Sequence, residues 1–287
     1  MYKSIYRLFK LSKYIVSIVP FENDYLFKKW GINSIKIDNF ITYKYNLIIP
    51  SDLSSNIIIM LGRGQAKKKR FQIGIQSMEY IIKYIPKAQL KIISDLTGIS
   101  HLLNLIINLK LENNIDFLGY NTNPEIYFKN ASLNIFPSIS EAFPMVIIET
   151  KEYGIPNILI GLDYIAMAKK GNIIIYDDLP ELLAREAIKI LKYKNYKKNL
   201  GINARRSISK YNNKMLLMKW IKIILSVFNG YKYYQQLKYN NKEINKLDAL
   251  NIIKNQVSLL KKRIHFFNNI TIKNYENFTY MENQTNF

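Results

Sequence analysis

The chain has no cysteine among its 287 residues, which excludes disulfides, thiolate zinc sites and cysteine nucleophiles. It has only two histidines, His101 and His265, too few for a histidine-based metal centre. No apolar run approaches the ~18–20 residues that a membrane-spanning helix needs. "YIVSIV" and "IILSVF" are core-sized pieces. The N-terminus, "MYKSIYRLFKLSKY", lacks the apolar core and small-residue cleavage site of a signal peptide. It is basic and amphipathic, which allows peripheral contact with a membrane surface. The expected setting is therefore soluble and cytoplasmic.

Acidic residues are also scarce: 21 Asp and Glu face 42 Lys and Arg, a formal charge of +21. Such an excess suits nucleic acid or anionic lipid as a partner. However, Lys, Asn, Ile and Tyr are abundant together, as an AT-rich genome imposes on every protein it encodes. The lysines spread over helices and tail rather than forming one aromatic-interleaved stripe. The charge is read as composition, with no specific nucleic-acid partner; a nucleic-acid-binding role rests on charge alone. Hydrophobic residues make up 48% of the chain, enough for a core and one or two domains.

From Asn56 onward, short apolar strand candidates alternate with helix-period segments. "NIIIML" (56–61), "AQLKIIS" (88–94), "NIDFLG" (114–119), "ASLNIFPS" (131–138), "PNILIG" (156–161) and "NIIIYD" (172–177) read as strands. Helices are expected over Phe71 to Tyr84 and Ile99 to Leu109, with further helical pieces between the later strands. Nearly all-apolar strands separated by helices imply parallel βαβ units covered on both faces. The fold class is α/β, a doubly wound parallel sheet whose ligands bind at the C-terminal ends of the strands. Upstream, "YIVSIV", a helix from about Asn23 to Trp30 and "SIKID" form a small β-α-β piece. After Gly230, Leu247, Leu250, Ile253, Val257, Leu260 and Ile264 fall at roughly helical spacing, so a long amphipathic helix is expected. A loosely ordered, Asn-rich tail follows. The expected organisation is 1–50, 51–230 and 231–287, the last a helical extension with its tail.

Chemistry concentrates in "SISEAFPMVIIETKEYGIP", directly after the strand "LNIF". Pro144 suits the first turn of a helix, because its missing N–H is not needed there. The free amides of that turn and the helix dipole favour an anion such as phosphate. If one helix carries both Glu141 and Glu149, they lie about 12 Å apart along its axis and on roughly the same side. Carboxylates accept paired sugar hydroxyls well. The stretch thus fits a ligand with a central diphosphate and a sugar at each end.

"FPSISEAFPMVIIETKEYGIP" closely resembles the Glu-x7-Glu motif of GT-B glycosyltransferases, in particular the retaining enzymes of glycosyltransferase family 4 (glycosyl transferases group 1). Pro137, Ser138, Glu141, Phe143, Pro144, Glu149, Gly154 and Pro156 fall in register with P-S-x-x-E-G-F-G/P-x-x-x-x-E-A-x-A-x-G-x-P. "MLGRGQAKKKRFQIGIQSM" resembles the family's G-R-x(n)-K-G-x-x-x-L-I-x-A-F. Aligning Phe71, Ile75 and Met78 with its apolar positions selects Lys69 as the diphosphate lysine, with Lys68 as the alternative. "LKIISDLTG" departs from L-x-I-x-G-x-G, and "GLDYIA" from Gly-Gly-x-x-E.

The resemblance implies a Rossmann-like GT-B C-terminal domain over 51–230 and a remnant of the N-terminal domain over 1–50. It also implies the roles. Arg63 and Lys69 would stabilise the leaving diphosphate, Glu141 would orient the donor sugar and take part in catalysis, and Glu149 would hold the ribose. Gly62, Lys68, Gly119, Ala142, Phe143, Pro144 and Met145 complete the expected donor-binding set. The implied reaction transfers a sugar from a nucleotide-sugar to a glycan, lipid or protein acceptor with retention, and needs no metal or other cofactor. Most of the family's N-terminal, acceptor-holding domain has no counterpart here. The alternative is therefore an inactive module, or one half of a split enzyme completed by a second chain.

Overall fold

The computed structural model describes residues 6, 8–10, 12, 14–39, 48–63, 67–121, 123–211 and 213–227. The chain divides into two compact units, Met1–Val227 and Phe228–Phe287. The long helix and loose tail read after Gly230 lie outside the described residues.

At the N-terminal end, β1 (Val16–Ser17) and β2 (Ile35–Lys36) pair in parallel around α1 (Pro20–Trp30). The helix begins three residues before the expected Asn23. Pro20 opens it, where no N–H is required, and Glu22 sits in the positive first turn. Gly31 ends it in the left-handed region at φ 64°, its amide reaching back to the carbonyls of Leu26 and Phe27.

The main sheet has six parallel strands in the order β5-β4-β3-β6-β7-β8. These are β3 (Ile57–Leu61), β4 (Gln89–Ile93), β5 (Ile115–Phe117), β6 (Leu133–Phe136), β7 (Asn157–Ile160) and β8 (Asn172–Ile175). Between them lie α2 (Phe71–Tyr84), α3 (Ser100–Asn108), α4 (Glu125–Phe128) and α5 (Met145–Glu152). The helices α6 (Pro180–Lys192), α7 (Lys194–Ser207) and α8 (Asn213–Val227) follow.

The strands are apolar throughout because both faces are covered. Ile58, Met60, Leu90, Ile92, Leu133 and Ile135 pack with α2, α3 and α6 on one face. Their alternates Ile59, Leu61 and Ile93 pack with Phe128 and Tyr153, while Phe136 and Leu159 pack with Ile147 and Ile148. Each such fully buried side chain contributes about 1.5–3 kcal/mol of transfer free energy. Gly74 brings α2 close to the sheet: a Cβ there would lie 2.3 Å from Met60 Sδ.

The β7-to-β8 crossing, residues 161–171, contains no helix, contrary to the expected alternation. Gly161 and Gly171 bound it in the left-handed region. The fully buried Lys151 ammonium donates to the carbonyls of Met167, Lys169 and Lys170, acceptors that a helix would have used itself. On β6 and β7, the buried Asn134 Nδ2 donates to Asn157 Oδ1 at 2.7 Å, and Thr150 Oγ1 to the same atom at 2.8 Å.

Candidate functional site

The strand order reverses direction between β3 and β6: β4 and β5 continue from β3 on one side, β7 and β8 from β6 on the other. The loops after these two strands therefore diverge and leave a crevice at their carboxyl ends, where ligands of doubly wound sheets bind. "GR" follows β3 and "PSISEAFP" follows β6, so both motifs meet at this point.

The loop after β3 ends in a 3-10 turn, Lys67–Lys69, and enters α2 through Arg70. Arg70 has φ 48° and ψ 43°, a left-handed conformation uncommon outside glycine. Its side chain offsets that cost. Nε donates to Pro137 O at 2.7 Å, and Nη1 pairs with Asp178 at 2.6 Å. From the other side, Ile139 N donates to Lys68 O at 2.9 Å. The lysine turn is thus fastened to the loop after β6.

This fastening separates the two candidate lysines. Lys68 is exposed and offers its carbonyl to the β6 loop. Lys69 turns inward: its Nζ lies 2.6 Å from Glu141 Oε1 and 4.8 Å from the centre of the Phe136 ring. Gly62 makes room, since a Cβ there would sit 3.3 Å from the Cδ and Cε of Lys69. Arg63 is exposed at the end of β3, beside residues outside the description.

Glu141 is held from three directions. It pairs with Lys69, its Oε1 accepts from Ser138 Oγ at 2.6 Å, and its amide donates to Tyr164 Oη at 2.9 Å. Its side chain is only 12% exposed. Ser138, Arg70 and Tyr164 were absent from the expected site. Ser138 lies inside the quoted motif, but neither Arg70 nor Tyr164 carries a sequence signal of its role, because each acts across more than twenty residues of chain.

Contrary to the single helix considered from the sequence, Glu141 is not on the same helix as Glu149. Pro144 occupies the capping position with ψ 105°, and α5 begins at Met145. The ring of Pro144 disfavours helical geometry in the residue before it, so the helix cannot start upstream. The axial spacing of about 12 Å, drawn from a continuous helix, does not apply. No side chain caps the first turn of α5, which directly follows the loop that carries Glu141.

The remaining expected residues divide between surface and core. Ala142 is exposed, Met145 half-buried and Pro144 buried. Phe143 is buried and packs edge-on against Tyr211, ring centres 5.6 Å apart, which anchors the loop from beneath. Gly119, two residues past β5, has φ 71° and is open to space on its Cβ side. Glu149 is half-buried on α5. Burial raises its carboxyl above the usual range, and the nearby Glu125 adds to the shift. Glu152 is more deeply buried and is pushed up to about 8 by burial, then by Glu149 and Glu125, with Arg205 opposing. This acidic grouping was not anticipated beyond Glu149, since Glu125 arrives from a separate helix.

Such a doubly wound parallel domain, with a cation and a carboxylate paired at its strand switch, belongs to the Rossmann-like class of ligand-binding domains. Residues 48–207 match the family described as Glycosyl transferases group 1, and the chain belongs to that family. It is 25% identical over 179 residues to the poly(glycerol-phosphate) alpha-glucosyltransferase of Bacillus subtilis, covering 61% of this chain and 26% of that protein. The fold is shared with TarM of S. aureus, solved with UDP and alpha-GlcNAc-glycerol (TM-score 0.68, 18% identity, 77% of this chain and 45% of that one). It is also shared with Anabaena HepE, solved with UDP and glucose (TM-score 0.66, 16% identity, 79% and 67%). The chain thus spans about a quarter of the curated relative's length and less than half of TarM's. Among the described residues, no helix is long and apolar enough to cross a membrane.

Proposed function

We propose that this chain binds a nucleoside diphosphate sugar at the β3/β6 crevice and serves sugar transfer, with retention, to an acceptor hydroxyl. The observation that carries this reading is the Lys69–Glu141 pair beside the uncapped first turn of α5. A diphosphate entering here meets a mobile ammonium, the amides of α5 and the guanidinium of Arg63, all of which stabilise negative charge on a leaving group. Lys69 then exchanges its carboxylate partner for phosphate oxygens. Glu141, relieved of its cation and steadied by Ser138, becomes an acceptor for donor-sugar hydroxyls. Glu149, further along α5, is assigned to the ribose. With cationic side chains and a helix terminus to offset the diphosphate charge, the reaction needs no metal. A cytoplasmic setting fits the supply of nucleotide-sugars.

The bound UDP named for TarM and HepE makes uracil the first base to test. The experiment is a donor screen that measures release of nucleoside diphosphate, with and without candidate acceptors, for the wild type and Lys69→Ala. Donor-specific release that falls at least ~10-fold in Lys69→Ala supports the reading. Release that is equal in both proteins refutes it.

A further inference from the structure

We propose that the cavity between α7 and the segment Pro50–Leu53 is a second anion site, one that takes a phosphate group. It has a volume of about 320 Å³. It lies at the opposite end of the strands from the crevice above, because Pro50–Leu53 lead into β3 and Gly154 leads into β7, at the amino ends of both strands.

On α7, Lys194, Lys197, Gly201 and Arg205 follow at helical spacing and share one face. That face is pressed against the chain beneath it: a Cβ on Gly201 would lie 2.3 Å from Gly154 O. One turn away, the close approach leaves Lys197 only 4% exposed. A buried ammonium is costly unless its donors are satisfied. Lys151 shows the satisfied case, with Met167 O at 2.7 Å and Lys170 O at 2.9 Å.

Lys197 has no such set. Among the described residues its ammonium makes no hydrogen bond and no ion pair; although the side chain is buried, its ammonium is not sealed from solvent and borders the cavity. Its charged neighbour, Asp52, is already engaged by the amide of Ser54 at 2.9 Å and its hydroxyl at 2.8 Å. Burial holds the Lys197 ammonium below the usual lysine range, with Asp52 opposing. Exposed Lys194 and Lys198 complete the lining together with half-buried Arg205, whose Nη2 donates to Ile48 O at 2.8 Å, so three lysines and one engaged arginine border the cavity beside a single carboxylate. Phosphate oxygens supply acceptors for the lysine ammoniums that border the cavity.

The test titrates the full chain with inorganic phosphate and glycerol 3-phosphate by calorimetry. In parallel, it sediments the chain with phosphatidylcholine vesicles, with and without phosphatidylglycerol. Lys197→Met and the exposed double variant Lys194→Ala/Lys198→Ala are compared with wild type; the second leaves the core untouched. Binding should weaken at least ~10-fold in each and persist in Lys69→Ala, which separates this site from the donor crevice. Binding of the soluble phosphates identifies a free ligand; binding confined to phosphatidylglycerol vesicles and lost in Lys197→Met identifies a lipid headgroup. No phosphate-dependent binding of either kind, or binding unchanged in both variants, overturns the proposal.

Discussion

Replacing Glu141 and replacing Lys69 should have opposite effects on nucleoside diphosphate, although the two side chains touch. Lys69 Nζ lies 2.6 Å from Glu141 Oε1, and the side chains are 16% and 12% exposed. At that exposure the pair is less screened than a surface ion pair, but desolvation offsets part of its Coulombic gain, and it retains enough solvent contact to exchange partners. Lys69→Ala removes a charge-assisted bond to phosphate of about 1.5–3 kcal/mol, a loss of roughly 10–100-fold in affinity. Glu141→Ala instead removes the carboxylate that competes with phosphate for Lys69. Affinity for the nucleoside diphosphate should hold or tighten, while the added affinity from the sugar disappears. The assay is calorimetry with the nucleoside diphosphate and the matching nucleotide-sugar on wild type, both single variants and the double variant. The cycle isolates the coupling between the two side chains. If Glu141→Ala weakens the nucleoside diphosphate as much as Lys69→Ala does, partner exchange at this pair is wrong.

Four further outcomes are expected. Glu149→Ala should weaken nucleoside diphosphate and nucleotide-sugar alike, by at least ~10-fold in the same titrations, and Lys68→Ala should leave both nearly unchanged. Glu152, raised from 4.5 to about 8 in the folded chain, stabilises the fold fully below its unfolded value. That contribution is lost as pH rises to about 8, at up to roughly 1.4 kcal/mol per pH unit. Denaturant melts from pH 5 to 8 should show the decline, and Glu152→Gln should flatten it. Gly171→Ala should lower the melting temperature by several degrees, because φ 74° disfavours a side chain and the Cβ would lie 2.3 Å from the backbone of Ala204. Binding to DNA or RNA should be weak, sequence-blind and abolished by moderate salt; a tight complex with a preferred sequence would reverse the reading of the charge.

The strands were legible because a doubly covered parallel strand is apolar on both sides, and "NIIIML" and "PNILIG" allow little else. The helix Phe71–Tyr84 was legible for a related reason: Phe71, Ile75 and Met78 repeat at helical spacing, and Pro86 stops the run. Strand order was not legible, since it depends on which loops cross over, and the missing helix before β8 depends on Lys151 claiming distant carbonyls. At the site, the motifs marked Glu141, Glu149 and the lysine run. They could not show that Pro144 separates Glu141 from the helix, nor that Arg70 fastens the lysine turn to Pro137, a contact spanning 67 residues. Glu125 and Lys197 show the same limit: a side chain's electrostatic surroundings come from elements remote in sequence.

The most direct test is calorimetric titration of the full chain with a panel of nucleoside diphosphate sugars, beginning with those of UDP, on wild type and Glu149→Ala. At least one nucleotide-sugar should bind with one-to-one stoichiometry, be displaced by its nucleoside diphosphate, and bind at least ~10-fold more weakly to Glu149→Ala. Absence of binding across the panel, or binding that Glu149→Ala leaves unchanged, would contradict a donor site at the β3/β6 crevice.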